Sequence, residues 1–150
     1  MAHYLTTSVM LAAVAVLPTL AFAQDTAAVK VAESKEYGKY LTDGTGRALY
    51  LFEGDTKGDG QSKPEVSCKS DCLDRWPPFY VESGPQAGDM ADASKLSTVE
   101  HDGKMMVTYN GWPLYYFVDD AAAGDTKGHD IEEFGSEWYL LTPEGEKAKD

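Results

Sequence analysis

Residues 46–55 read GRALYLFEGD, and residues 111–120, which lie 65 positions further on, read GWPLYYFVDD. The two segments share five identities, all of them glycine, leucine, aromatic or aspartate. A second match follows each segment, because GDTKG occurs at 54–58 and again, 70 positions later, at 124–128. The chain therefore contains an internal repeat of the form Gly-x-x-Leu-Tyr-x-Phe-x-x-Asp. Its motif residues are Tyr50, Phe52, Asp55, Tyr115, Phe117 and Asp120.

The residue types of the motif predict a β-strand in each copy. Tyr50 and Phe52 would lie on one face of a strand, and Leu49 and Leu51 would lie on the other. Apolar side chains on both faces indicate burial on both sides. Two copies are fewer than a free-standing solenoid needs, so we expect them to pack on each other as two halves of one domain.

Other short aromatic and β-branched runs predict more strands, at Tyr37–Thr42, Phe79–Glu82, Lys104–Tyr109 and Glu137–Leu141. Asp43-Gly44 and Asn110-Gly111 are typical of hairpin turns, which would join 37–42 to 46–52 and 104–109 to 112–118. A short helix is expected only within Pro85–Val99. The prediction is one all-β, sandwich- or barrel-like domain of short antiparallel strands, built from two pseudo-repeats.

The two ends of the chain predict a targeting segment and a tail. Residues 9–22 are an apolar run that ends in a small-x-small cleavage signal, Ala21-Phe22-Ala23. The run is too short to span a bilayer, which needs about 20 apolar residues. We therefore expect a signal peptide over 1–23, a flexible lead over 24–36, the β domain over 37–143 and a frayed tail over 144–150. The exported protein would be periplasmic or secreted, with no transmembrane span after cleavage.

Charge and motif content narrow the classes of function. The chain has 13 Lys+Arg against 25 Asp+Glu, a net charge of −12 at pH 7. Nucleic acids and anionic membranes are bound through Lys and Arg, so neither is expected as a partner. The sequence has no nucleophile elbow, zinc-protease helix, P-loop or dinucleotide fingerprint. A hydrolase with a carboxylate pair stays as a third hypothesis.

Cys68 and Cys72 are the two cysteines, in the spacing C-x3-C. In an oxidising compartment such neighbours most simply form a disulfide bond. Two alternatives stay open. One is a metal pair, which needs two more ligands, for which His101 and His129 are the candidates. The other is a redox pair, although redox motifs are normally C-x-x-C.

The acidic loops that follow each motif are weak candidates for calcium, with Asp55, Asp59, Asp120 and Asp125 as ligands. The EF-hand pattern fails because its third position is Lys57 in one loop and Lys127 in the other. Tight turns built by Asp and Gly are the alternative interpretation.

Aromatic side chains offer a second kind of site. Trp76, Trp112, Tyr116 and Trp138 are candidates to face a ligand, with core packing as the alternative. If Tyr50 and Tyr115 are instead buried and their hydroxyls are bonded to Asp55 and Asp120, the motif is a folding device.

The two motif copies, together with Cys72–Pro78 and Tyr109–Tyr115 beside them, resemble a family of secreted bacterial and archaeal repeat proteins. These carry a repeated Y-x-[FWY]-x-x-D motif and are often predicted lipoproteins. The resemblance covers about Tyr37 to Pro143 and implies an exported protein of unassigned function, with no catalytic residues to carry across. This chain lacks a cysteine at the cleavage site, which favours a soluble form over lipid attachment.

The sequence therefore predicts a non-enzymatic binding or structural protein of the cell envelope, without a cofactor. Its partner would be an envelope component or a small ligand. A calcium-like metal-binding protein that uses the acidic loops is the alternative.

Overall fold

Short runs of aromatic and β-branched residues become strands in the computed structural model, which describes residues 27–149. Within this range the strands are β1 (Ala28–Ser34), β2 (Gly38–Asp43), β3 (Tyr50–Phe52), β4 (Tyr80–Val81), β5 (Gln86–Ala87), β6 (Leu96–His101), β7 (Lys104–Tyr109), β8 (Trp112–Pro113), β9 (Ile131–Glu133) and β10 (Ser136–Leu140). Among the described residues, the helical structure is a five-residue α-helix, α1 (Asp71–Arg75), and a 3-10 turn (Ala93–Lys95). The predicted all-β class is confirmed.

The strands form three small sheets, with the orders β2-β1-β5, β3-β10-β9 and β4-β7-β6, and β8 pairs with β7. The hairpins β1–β2 and β6–β7 occupy equivalent places in the two repeats. The backbone N–H of Leu41 in β2 donates to Leu141, and that of Val107 in β7 donates to Phe79. Leu41 and Val107 are therefore equivalent, and so are Asp43 and Tyr109, which lie two residues further along each strand. Their strand partners, Val29 and Leu96, are equivalent as well.

The repeats exchange strands at the centre of the domain. Tyr50 and Tyr115 pair with each other through two backbone hydrogen bonds, of 2.9 and 3.0 Å. Strand β10 of the second repeat pairs with β3 of the first, with Trp138 opposite Phe52. In the same way, the segment after Trp76 pairs with the second motif, where Tyr116 donates its N–H to Pro77 at 2.8 Å. Each motif strand is thus completed by the other repeat, which confirms a single domain made of two halves.

The two faces of each motif strand enter two different core clusters. Tyr50 and Phe52 belong to an aromatic cluster, and Leu49 and Leu51 belong to an aliphatic one. All four side chains are buried. The alternation of strand side chains that the sequence predicted is therefore confirmed, with burial on both sides.

Strand β1 corrects the flexible lead expected over 24–36. Residues 29–34 pair antiparallel with β2, from Val29 opposite Asp43 to Ser34 opposite Gly38. Val31 packs against one core cluster and Ala32 against the other, while Lys30 and Glu33 are exposed, so the sequence shows no clear alternation. The signal peptide expected over 1–23, and residues 24–26, lie outside the described residues.

The frayed tail expected over 144–150 is also wrong for the residues described, which end at 149. A turn at Gly145 brings the chain back, and the N–H of Ala148 donates to the carbonyl of Leu140 at 2.8 Å. Ala148 is only 3% exposed. A short alanine-containing segment gives no sequence signal for this docking.

The segment expected to hold a short helix contains a 3-10 turn, and the α-helix lies elsewhere. Pro85–Val99 holds β5, the 3-10 turn and the first part of β6, while the α-helix is Asp71–Arg75. A helix of five residues is too short to show a 3.6-residue period. The 3-10 turn begins at Asp92, whose carboxylate accepts a bond of 2.9 Å from the N–H of Ser94.

Both predicted turns bring together the segments that they were expected to join. Asn110 and Gly111 have φ of 49° and 82° and join β7 to β8. After the Asp43-Gly44 turn, β2 meets the segment before β3 through the Thr42–Ala48 bridge and two backbone bonds, in which the N–H of Asp43 donates to Arg47 and that of Leu49 donates to Leu41.

Replacing Gly111 should destabilise the fold more than replacing Gly103. Both glycines have positive φ, but a Cβ at Gly111 would lie 2.0 Å from the carbonyl oxygen of Gly58, whereas Gly103 has open space. We expect Gly103→Ala to cost about 1 kcal/mol. Gly111→Ala should cost a further 1–3 kcal/mol or so from overpacking. Urea unfolding measures both, and equal losses would contradict the close approach.

Candidate functional site

The tyrosines and aspartates of the motif bond across the repeats. The hydroxyl of Tyr50 donates to Oδ2 of Asp120, and the hydroxyl of Tyr115 donates to Oδ2 of Asp55, each at 2.6 Å. All four residues are buried. Burial raises the pKa of both hydroxyls and also raises the pKa of both carboxyl groups. The motif is therefore built into the core of the fold.

The second oxygen of each aspartate holds the loop that follows the motif. Oδ1 of Asp55 accepts the N–H of Ser67 at 2.7 Å, and Oδ1 of Asp120 accepts the N–H of Lys127 at 2.9 Å. Both carboxylates are thus occupied on both oxygens by groups of the protein itself. They anchor the loops that follow the motif.

Trp76 and Trp138 do not face a ligand, which corrects that part of the sequence prediction. Both are completely buried, and their rings stack at 4.0 Å with an angle of 4° between the planes. Phe117 stacks on Trp76 and Phe52 stacks on Trp138, each at 4.2 Å. The motif places one phenylalanine from each repeat at each end of this four-ring stack, and the stack fills the core.

Trp112 and Tyr116 stay partly exposed. The Tyr116 hydroxyl donates to Asp43 at 2.9 Å, and the guanidinium carbon of Arg47 lies 4.3 Å from its ring centre. The ammonium nitrogen of Lys57 lies 5.8 Å from the ring centre of Trp112. These two aromatics keep a ligand-facing role as a prediction, and a cation lies beside each ring.

The remaining aspartates of the acidic loops stabilise turns. Asp59 accepts hydrogen bonds from the backbone N–H groups of Gln61 and Ser62, and these bonds lower its pKa to about 2. Asp125 accepts from Ala121 and Ala122 in the same way, which also lowers its pKa. Within residues 27–149, no three His, Cys, Asp or Glu side chains are grouped so that they could hold one metal ion. Calcium binding stays a prediction.

Cys68 and Cys72 form a disulfide bond, as the first of the three sequence interpretations expected. The bridge joins the start of α1 to the loop that Asp55 holds through Ser67. A metal pair needs free thiols, so this bond excludes that alternative in the structure. A redox pair contains a disulfide in its oxidised form, so that alternative stays a prediction.

A groove of about 740 Å³ lies between the loop 57–64 and β6. Its walls include Lys57, Lys63, Lys95, Ser97, Thr98 and Asn110. The loop is fixed to the β7–β8 turn because the N–H of Gly58 donates to Gly111 at 2.9 Å. Sequence reasoning missed this groove, since the two walls are about 35 residues apart and are brought together by the fold.

The groove is a basic region on an acidic protein. Its lining holds three lysines against one acid, Asp59, whereas the whole chain has a net charge of −12. Lys95 pairs with Asp92 at 2.8 Å and Lys57 pairs with Glu146 at 3.5 Å. Lys63 makes no ion pair with any residue of the described range. Such exposed pairs are weak, so these lysines can exchange partners.

Comparisons with known proteins agree with the repeat. A family model described as a secreted repeat of unknown function matches the chain twice, over residues 30–80 and 97–142. Each matched segment contains one motif and one of the two stacked tryptophans. No curated protein and no solved structure matches the chain. No helix between residues 27 and 149 has the length and hydropathy that a membrane crossing requires.

Removing one motif hydroxyl should destabilise the whole domain. Tyr50→Phe leaves the buried carboxylate of Asp120 without its donor from the other repeat, which we expect to cost about 1.5–3 kcal/mol. Tyr139→Phe is the control, because its hydroxyl donates to the half-exposed Glu137 at 2.8 Å and should cost under about 1 kcal/mol. Urea unfolding followed by tryptophan fluorescence and by far-UV circular dichroism should give one coincident transition. Separate transitions for the two probes would contradict a shared core.

The two buried carboxyl groups should make the stability of the fold decrease as the pH rises above 3.8, the ordinary pKa of an aspartate. Burial raises the pKa of Asp55 and Asp120 above 3.8, so between 3.8 and the raised values the folded state binds more protons than the unfolded chain. Increasing the pH through that window lowers the free energy of unfolding. Asp59 and Asp92, with pKa lowered to about 2, act in the opposite direction but below 3.8.

This pH effect is measured by urea unfolding between about pH 4 and pH 6. The double variant Asp55→Asn/Asp120→Asn should lose less stability over that range than the native chain. Asp71→Asn, in the exposed first turn of α1, is the control for removing a charge. Parallel curves for the native chain and the double variant would show that the two carboxyls do not titrate differently on folding.

Proposed function

Because this chain belongs to the family of secreted repeats of unknown function, we propose that it acts in the cell envelope as a non-enzymatic binding protein. We propose the periplasm as its compartment and the groove between loop 57–64 and β6 as its binding site. The ligand would be an envelope component that is polar and carries negative charge.

The single observation that carries this proposal is the groove itself. Its volume of about 740 Å³ falls in the range of ligand sites, about 300–1,000 Å³. Hydroxyl, amide and ammonium groups line it beside apolar surface, and its three lysines favour an anionic ligand. The motif side chains are used in the core, whereas in the groove several polar recognition groups reach solvent together.

The carboxyl groups of the molecule support binding over catalysis. A general acid works best when its pKa is raised towards the operating pH and its proton can reach the substrate. Asp55 and Asp120 have a raised pKa, but both are bonded to tyrosines inside the core. Asp59, which does line the groove, has a pKa lowered to about 2. The hydrolase hypothesis therefore gains no support at this site.

A panel titration tests the proposal by nuclear magnetic resonance. The probes are an acidic oligosaccharide such as oligogalacturonate, a neutral glucan oligomer, an acidic peptide and calcium chloride at millimolar concentration. We expect saturable shifts of the Ser97, Thr98 and Asn110 amides with at least one of the two acidic probes. The neutral oligomer should shift them less, because the lysines contribute to binding.

Two variants sharpen this experiment. Ser97→Trp fills the groove from an exposed position of β6 and should abolish the shifts. Lys39→Trp places the same ring at an exposed position of β2 and should leave them unchanged. The proposal fails if neither acidic probe perturbs the groove. Calcium shifts confined to the loops around Asp55 and Asp125 would favour the metal alternative instead.

A further inference from the structure

One wall of the groove is the free edge of a sheet. Strand β6 lies at the end of the order β4-β7-β6 and pairs with β7 alone. Its register is continuous from Leu96 opposite Tyr109 to His101 opposite Lys104. Between Leu96 and Val99 this edge contains no proline, bulge or charged residue, which are the devices that usually protect a strand edge from further pairing.

The hydrogen-bond pattern shows which backbone groups point into the groove. The carbonyl of Lys95 accepts from the N–H of Asn110 at 2.9 Å, and directly opposed residues alternate along an antiparallel pair. Ser97 and Val99 therefore bond to β7, while Thr98 points its N–H and carbonyl away from it. Val107, which lies opposite Thr98, uses its own N–H and carbonyl on Phe79 and Leu114. Thr98, which lines the groove, thus presents a donor and an acceptor at the edge of β6 that faces away from β7.

The first repeat contains the same edge with a strand already added to it. Val29 is the equivalent of Leu96, and its carbonyl accepts from the N–H of Gly88 at 2.7 Å. That bond belongs to the pairing of β1 with the two-residue strand β5. In the second repeat no described segment takes this place. The fold therefore shows, within one chain, that the equivalent edge of the other repeat accepts an extended segment.

We propose that an extended acidic peptide segment of another envelope protein pairs with the outer edge of β6. Main-chain bonds to Thr98 and its neighbours supply the pairing. Lys63 and Lys95, on the two walls, face the carboxylates of the segment. The inference rests on the proposed function in taking the groove as the binding site, and it adds the class of the partner.

Two features favour a peptide over the other candidate occupants. A row of backbone donors and acceptors at strand spacing, about 6.8 Å between alternate residues, matches another polypeptide, whereas a glycan has no such repeat. A second copy of this chain would bring its own net charge of −12 against the first, which opposes pairing of two identical edges at low salt.

N-methylated peptides test the pairing directly. The probe is an eight-residue peptide of alternating Glu and Val, blocked at both ends, whose affinity is measured by isothermal titration calorimetry. Alternate amides of a strand point in opposite directions, so methylating one alternating set should weaken binding at least tenfold. Methylating the other set should have little effect. Equal tolerance of both sets would overturn the inference, because binding would then depend on side chains alone.

Amide hydrogen exchange on the complex gives a second readout. Exchange of the Thr98 amide should slow at least tenfold when the peptide binds, while Ser97 and Val99, already bonded to β7, should change little. A different result would be that oligogalacturonate shifts the groove amides without protecting Thr98, while the peptide does not bind. That result would overturn the peptide inference and leave the proposed function standing. Failure of both probes to reach the groove would overturn both.

Variants of Thr98 and Lys63 complete the test. Thr98→Pro removes the outward N–H without removing a bond to β7, so it should weaken peptide binding at least tenfold, and Thr98→Val keeps the N–H and should bind normally. Lys63→Gln should weaken binding about three- to tenfold and reduce its dependence on salt. Circular dichroism checks that the proline variant folds, and the methylated peptides decide the outcome if it does not.

Analytical ultracentrifugation without peptide tests whether two copies of the chain pair through this edge. Dimers that form as the protein concentration increases would indicate self-pairing and would contradict this partner.

Discussion

Two tyrosine hydroxyls donate to two buried aspartates across the contact between the repeats, and each carboxylate depends on a residue from the other half of the chain. A buried carboxylate is costly unless it is hydrogen bonded. The first repeat by itself would bury Asp55 without Tyr115, and the second would bury Asp120 without Tyr50. Neither half can therefore supply the hydrogen bond that its own buried aspartate needs. The exchange of strands at the centre of the domain brings each aspartate to the tyrosine of the other half.

The aromatic residues around this exchange explain why the motif carries so little functional information. The stack from Phe52 through Trp138 and Trp76 to Phe117 follows the same two-fold relation as the tyrosine–aspartate bonds. Large flat rings that would suit a sugar or a flat ligand on a surface are here completely covered. The motif builds the scaffold, and recognition is left to the segments where the two repeats differ.

The differences begin in the loop that the repeats share. GDTKG at 54–58 ends against the β7–β8 turn, where Lys57 lines the groove and the buried Gly58 donates its N–H to Gly111. The same five residues at 124–128 end against the aromatic core, because a Cβ at Gly128 would lie 2.8 Å from the ring of Trp76. The hairpin edges also differ, since β5 covers β1 and no described segment covers β6. Identical local sequence thus has different partners in the two repeats.

Much of the scaffold could be predicted from the sequence, because it depends on local alternation. The repeat, the opposite faces of Leu49 and Tyr50, the Asn110-Gly111 turn and the bridge between neighbouring cysteines follow from residues close together in the chain. Short elements with a weak period were missed, as in β1, the five-residue helix and the docking of Ala148. Only the tertiary structure decided which tyrosine meets which aspartate, that Trp76 and Trp138 stack inside, and that loop 57–64 faces β6 to form a groove. Those outcomes depend on contacts between distant segments, whose geometry is set when the two halves pack and which no local pattern records.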